Sequence, residues 1–460
     1  MPSGDALGCS FGHQQFGGAS LGDIRRTPRL VQLADVFLPQ PDAALPRKCG
    51  SPANYPALLA LLARPEVTHG SVLASHRRLT PHAIQQRTGR TTLQIGDITE
   101  LDFPSRRSLR KQLGPIGNGG GSGYECFNRL AVDPENRTVI GLANQLLFRR
   151  RRRKQPRAQV RRLATAKRQS GLWVRATSGL PPAPADVRRV RVFDREGDTD
   201  EVLRAPGEYL IRSRTNRHIY EGFEADAASG KWHAYLRSRP AVAQREVVLE
   251  PAPGRAGRTA VCGIAYAGVR VRWSKANGSP GGDPTRAFGV RVWELNPPRG
   301  EAGVEWLLLT SVAVGSVADA HERVDGYECR WVVEEYHKAL KTGVRIEPVR
   351  VRKRARLEPR LGILSVVALE LLWVRDAARA DQPAELQVGP VLVELASRIP
   401  TGVKVRGDRM TVREFYQAVA RLGGYLGNFS KKPPGGQTLW HGWMRLNAMA
   451  QGLTIRRHPS

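Results

Sequence analysis

Polar positions recur at helical spacing along residues 327–341. At about 100° per residue, Tyr327, Arg330, Glu334 and Lys341 share an arc of roughly 60°. Cys329, Val332, Val333, Tyr336, Ala339 and Leu340 fall on the opposite side. The spacing predicts a helix with a dry face and a face that gathers one carboxylate, two cations and a phenol. Elsewhere β-forming residues dominate: Thr92 to Phe103 and Val187 to Phe193 read as strands. From 207 to 310 the strand texts GEYLIRSR, VRVRW, GVRVWE and EWLLLT follow one another across Gly and Pro turns. Helical pattern marks the stretches from Leu21 to about Phe37 and from Tyr55 to Arg78, a segment around Val160 to Trp173, a start near Thr199, and the region from Val412 onward.

Acids stand on or beside two of these strands. Asp97 and Asp102 lie in the first, where either also reads as an ordinary strand-end residue. Asp194 follows Val187 to Phe193, a place where α/β folds put ligand-binding groups and where a capping Asp is equally at home. The Gly-rich run Gly114 to Gly123 lacks the GK[ST] ending of a phosphate loop and reads as a flexible connection. Arg149 to Lys154 are six consecutive cations, which serve either as a DNA-backbone contact or as a solvated turn. The cluster Arg25, Arg26 and Arg29 leaves the same two readings open.

Composition narrows the partner. The 460 residues carry 72 Lys and Arg against 42 Asp and Glu, a formal net charge of +30. Such a field attracts polyanions, nucleic acid before an anionic membrane, because no polybasic segment adjoins a long apolar span. The apolar run Leu361 to Val374 is interrupted by Glu370 and is too short to span a bilayer. Five scattered cysteines without a CxxC pair indicate neither a disulfide framework nor a zinc site. A soluble protein of the reducing cytosol is the expectation.

The text of Tyr327 to Gly343, YECRWVVEEYHKALKTG, closely resembles the Tyr-(2)-Arg-(3)-Glu-(6)-Lys signature of bacterial insertion-sequence transposases of the DDE cut-and-paste class. The likeness runs in patches from about residue 20 to 455. LGDIRR at 21–26 is similar to their N-terminal DNA-binding domain, Asp97 to the acid of their first catalytic strand, and DREGD at 194–198 to their second motif. Gly96 and Ile98 stand where that family commonly has Gln and Thr, and Gln169 where it has an acid.

The resemblance implies an α/β fold: an RNase-H-like catalytic core with a β-strand-rich insertion and helical N-terminal and C-terminal domains. The extents it implies are a DNA-binding domain at 1–80, a core at 81–215 and 305–380, the insertion at 216–304 and a dimerisation region at 381–460. By resemblance Asp97, Asp194 and Glu334 are the catalytic acids and converge on two Mg²⁺ ions, with Mn²⁺ as a substitute. Tyr327, Arg330, Lys341, Arg212, Arg214, Arg25, Arg26 and Arg29 bind DNA, and Trp306 stacks on a base flipped from it. The implied reaction is end nicking, hairpin formation, hairpin resolution and strand transfer. It acts on double-stranded inverted-repeat ends and target DNA, in a homodimeric synaptic complex in the bacterial cytoplasm at the nucleoid. Two rivals stay open: a catalytically inactive DNA-binding relative or inhibitor of transposition, and a general metal-dependent nuclease.

Overall fold

The computed structural model describes residues 10–87, 91–104, 107–117, 120–150, 170–177, 186–224, 230–249, 256–273, 281–349, 351–377, 383–388, 390–405, 407, 409–429 and 434–457. Arg151 to Lys154, Gln169, most of the helical pattern expected at 160–173, and Lys431 with Lys432 lie outside them.

One mixed sheet organises the chain. Strands β1 (Thr91–Asp102), β2 (Gly114–Ile116), β3 (Gly121–Asp133) and β4 (Thr138–Phe148) form an antiparallel group in which β3 lies between β1 and β4. On the other side of β1 come β5 (Arg188–Phe193) and then β6 (Glu208–Arg212), both parallel. The order β4-β3-β1-β5-β6 is that of an RNase-H-like core. Nearly every residue of β3 is buried, as a central strand covered on both faces requires. The Gly-rich run is no simple connection: Gly114–Ile116 pairs with Gly121–Gly123, so its ends are a hairpin.

The parallel register does the positioning. Ile95 stands beside Val192. Two residues further along each strand come Asp97 and Asp194, which are therefore level with each other on neighbouring strands.

The strands expected after residue 207 extend this sheet. After β7 (His218–Glu221), β8 (Gly230–Lys231) and β9 (Ala243–Leu249), the long strands β10 (Arg258–Val271), β11 (Thr285–Glu294) and β12 (Glu305–Thr310) return the chain to β6, with Leu308 opposite Arg212. Trp306 pairs with Val292 just beyond the end of β6.

Helices pack on the sheet and on one another, among them α1 (Phe11–Phe16), α2 (Arg26–Phe37), α3 (His69–Gln85), α4 (Ser170–Thr177), α5 (Val317–Glu328), α6 (Trp331–Lys338), α7 (Arg354–Ala377), α8 (Val412–Leu422) and α9 (Gly436–Arg457). The apolar run Leu361 to Val374 is the buried middle of α7. Cys329, Val332, Val333, Tyr336, Ala339 and Leu340 are all buried, so the dry face is where the spacing put it. The single helix expected over 327–341 is not. It breaks between α5 and α6 at Cys329 and Arg330, and after Lys338 it widens into a π turn, Ala339–Gly343, that carries Lys341.

Gly96 departs from the expected wording for a steric reason. A Cβ there would lie 2.5 Å from Cε1 of Phe193 and 2.6 Å from Cζ of Phe127. Those rings meet Trp173 edge-on, at centroid distances of 5.2 Å from Phe127 and 5.1 Å from Phe193. The trio fills the space beside the ends of β1 and β5. Gly96→Ala is expected to cost about 1–3 kcal/mol through overpacking of a filled core, read as a lower urea midpoint with an unchanged slope.

Candidate active site

Glu334 enters from α6 and meets β1. Nη1 of Arg330 donates to Oδ2 of Asp97 at 3.1 Å and to Oε1 of Glu334 at 3.2 Å, so one guanidinium stands between two carboxylates. The other Asp97 oxygen, Oδ1, accepts the backbone N–H of Ile98 at 2.7 Å. Burial pushes the Asp97 carboxyl up to about 7, and the neighbouring charges of Asp194 and Glu334 push the same way against the pull of Arg330. The three acids therefore share one electrostatic environment.

Asp194 directly follows β5 and caps a short 3₁₀ turn, its Oδ1 accepting from the N–H of Glu196 at 2.8 Å. Asp198 of the same DREGD string is structural: it is buried, bonded to the backbone N–H groups of Arg214 and Thr215 at 2.6 and 2.7 Å, and paired with Arg217 at 2.5 Å. Asp102 faces elsewhere, accepting from the N–H of Ser122 at 3.0 Å. Of the two acids the sequence offered on β1, the structure sets Asp97 beside Arg330 and Glu334.

A residue that spacing arguments missed completes the cluster. Oxygen or nitrogen atoms of Asp97, Glu334 and His337 lie within 4.8 Å of one another. His337 is buried, and desolvation holds its imidazole down to about 3, helped by the positive charges of Lys341 and Arg330. The available signal was its position three residues after Glu334, on the same helical face. Carboxylate oxygens brought close together, one of them with a raised pKa, are the donor set that hard divalent cations take, and Asp97 and Glu334 fit that role here. Asp194 lies outside the 4.8 Å group, although its charge is felt at Asp97.

Beside the acids lies a surface of rings and cations. Tyr327 is buried against Trp306, the rings 5.6 Å apart and inclined by 64°, while Trp306 stays partly exposed. Nη2 of Arg212 donates to the carbonyl of Glu305 at 2.9 Å, holding the start of β12. Arg214 is exposed and lines a cleft of about 250 Å³ with Arg195, His233 and Arg237. Trp331, 59% exposed, carries Arg330 over its ring at 4.9 Å and is a further group that the spacing did not single out.

The basic clusters divide. Arg26 is engaged with Glu66 at 2.9 Å and the carbonyl of Leu21 at 2.7 Å, and Arg29 with Gln32 at 2.7 Å. Arg25 is exposed and pairs with Asp23 at 3.0 Å. Of the six-cation run, Arg150 pairs with buried Glu125 and Arg149 donates to the carbonyl of Gln112 at 3.0 Å, so its described part braces the sheet.

A sheet of this order, with acids level on neighbouring parallel strands and a carboxylate helix packed across them, defines the RNase-H-like class of nucleic-acid phosphoryl-transfer enzymes. Residues 130–371 match the family model of the transposase DDE domain, and residues 9–67 match that of the transposase DNA-binding domain. The first match spans more than half of the chain, which therefore belongs to the DDE transposase family and binds DNA through its N-terminal part. This family of nucleases and transposases generally uses divalent metals. Asp194, Trp306, Tyr327, Arg330, Glu334 and Lys341 fall inside the DDE match, and Asp97 precedes it. Among the described residues, no helix is long and apolar enough to cross a membrane.

The raised Asp97 pKa fixes the sign of a stability effect. The fold disfavours the ionised form, so stability present at low pH is lost as pH rises through about 7. Asp97→Asn removes that loss. The variant is expected to melt a few degrees above wild type at pH 8 without metal and level with it near pH 4, by calorimetry.

Proposed function

We propose that this transposase moves its element by cut and paste, with Asp97, Asp194 and Glu334 as ligands for Mg²⁺, and Mn²⁺ as a substitute. The observation that carries the reading is the meeting of Asp97 with Glu334 across the Arg330 guanidinium, at 3.1 and 3.2 Å. A cation already stands where the two carboxylates need one. Bound divalent ions supply charge neutralisation and a polarised oxygen for in-line attack on phosphorus. The acids hold that charge, and Arg330, released from them, is suited to a forked contact with a phosphate. Lys341, which makes no ion pair with a described residue, offers a point charge to the same backbone.

By this reading the steps are nicking at the inverted-repeat end, hairpin formation, hairpin hydrolysis and strand transfer into target DNA. Each is an attack by water or a 3′-hydroxyl on phosphorus, with loss of one P–O bond. Residues 1–80 recognise the end through Arg25, Arg26 and Arg29, 81–215 and 305–380 form the core, 216–304 the insertion, and 381–460 pair two subunits at synapsis in the bacterial cytoplasm. Arg212 and Arg214 face the DNA from the rim of the site. Trp306, partly exposed beside Tyr327, is the platform for the extruded base.

Single replacement of Asp97, Asp194 or Glu334 by Ala should lower cleavage of end DNA by several orders of magnitude while leaving its binding within a few-fold of wild type. Cleavage by Asp97→Ala at the wild-type rate would refute the assignment on β1. Stacking is worth roughly 1–3 kcal/mol per base, and extruding a base costs a few kcal/mol. Trp306→Ala should therefore accumulate nicked ends and form hairpins slowly, and an abasic site at the extruded position should restore part of the yield. An unchanged nick-to-hairpin ratio on a denaturing gel makes Trp306 an ordinary core ring.

A further inference from the structure

A run of side-chain hydrogen bonds joins the N-terminal part of α3 to the His337 ring on α6, and that ring faces the Glu334 carboxylate at a distance longer than a hydrogen bond. Nε2 of His69 meets Oε1 of Gln145 at 2.8 Å. Gln145 on β4 donates from Nε2 to Oδ1 of Asn128 on β3 at 2.7 Å. Nδ2 of Asn128 meets Nε2 of His337 at 3.1 Å. On the far side of that ring, Nδ1 lies 4.0 Å from Oε2 of Glu334. Asn128 is wholly buried, and Gln145 and His337 nearly so.

The direction of donation is set inside the run. Asn128 also donates from Nδ2 to the Cys126 carbonyl at 3.3 Å, and its Oδ1 lies 3.5 Å from the Cys126 thiol, a donor. Its amide therefore has one orientation. Nε2 of His337 has to accept, which places the proton of a neutral ring on Nδ1, facing Glu334. Oε1 of Gln145 accepts in turn, so His69 carries its proton on Nε2.

We propose that His337 is a positioning residue for Glu334: the run from His69 through Gln145 and Asn128 turns its Nδ1–H to the side of Oε2, the oxygen that Arg330, in contact with Oε1 before an ion binds, leaves free. The carboxylate is thereby presented to a divalent ion in one orientation. Because Nδ1 is a donor, it has no lone pair for a metal, and His337 is not itself a ligand. The inference rests on the reading of Glu334 as a ligand. It also links the seating of α3, the helix that follows the matched DNA-binding segment 9–67, to the helix that carries Glu334.

The test uses the full chain and Mn²⁺ alone as probe, with free Mn²⁺ counted by electron paramagnetic resonance. Loss of an outer partner of a metal ligand weakens metal affinity by about tenfold or more, so His337→Phe should raise the Mn²⁺ Kd about tenfold. His337→Asn, whose amide nitrogen replaces Nδ1, should recover most of the affinity, and His337→Gln, whose amide replaces Nε2, should not. In metal-free wild type, ¹⁵N shifts of the His337 ring, assigned by their loss in His337→Asn or His337→Gln, whichever folds, should report the Nδ1–H tautomer even where His337→Phe fails to fold. An Nε2–H tautomer, an unchanged Kd in folded His337→Phe, or direct ¹⁴N coupling to bound Mn²⁺ would each overturn the proposal. Glu334→Ala separates the two levels. If it binds Mn²⁺ as wild type does, the reading of the site fails; if it loses affinity while His337→Phe keeps it, only the positioning role fails.

Discussion

Like charge is the constraint that the proposed active site has to satisfy. Asp97, Asp194 and Glu334 come from two strands and a helix, and the charges of Asp194 and Glu334 add to the cost of ionising the partly buried Asp97. Arg330 offsets that cost by touching two of them with one guanidinium nitrogen. The helix breaks at Cys329 and Arg330, the residue whose guanidinium reaches both β1 and Glu334.

Beneath the charges the support is apolar. Phe127, Trp173 and Phe193 occupy the volume beside Gly96, and Phe193 immediately precedes Asp194. Two acids thus take their height from one aromatic cluster. Parallel pairing of β1 with β5 does the rest, since a shift of one residue would turn Asp97 or Asp194 to the other face.

What the sequence made legible was local. The dry face of 327–341 showed in its spacing because burial follows helical period even across a break. The strands around Asp97 and Asp194 showed in their β-branched and aromatic content. What stayed hidden depends on partners distant in the chain. Gly96 looked like a departure from a family pattern until the rings of Phe127 and Phe193 were seen to leave no room for a Cβ. Asp198, a carboxylate in the same string as Asp194, proves to be bound by Arg217, which no spacing rule singles out. His337 escaped notice because its meaning comes from Asn128 and Gln145 on two other strands. Arg26 and Arg29 read as free cations in one dimension and are engaged by Glu66 and Gln32 in three.

The insertion is hydrogen-bonded into the core sheet through β6 and β12, so the strand bearing Trp306 and the strands bearing Asp97 and Asp194 belong to one plate. Such a plate fixes the backbone that carries Trp306 relative to the strands of the acids. On the proposed reading the choreography then belongs to the nucleic acid: with the stage fixed, the DNA backbone travels and the base turns, and the timing of the reaction is written in the pliability of the DNA end.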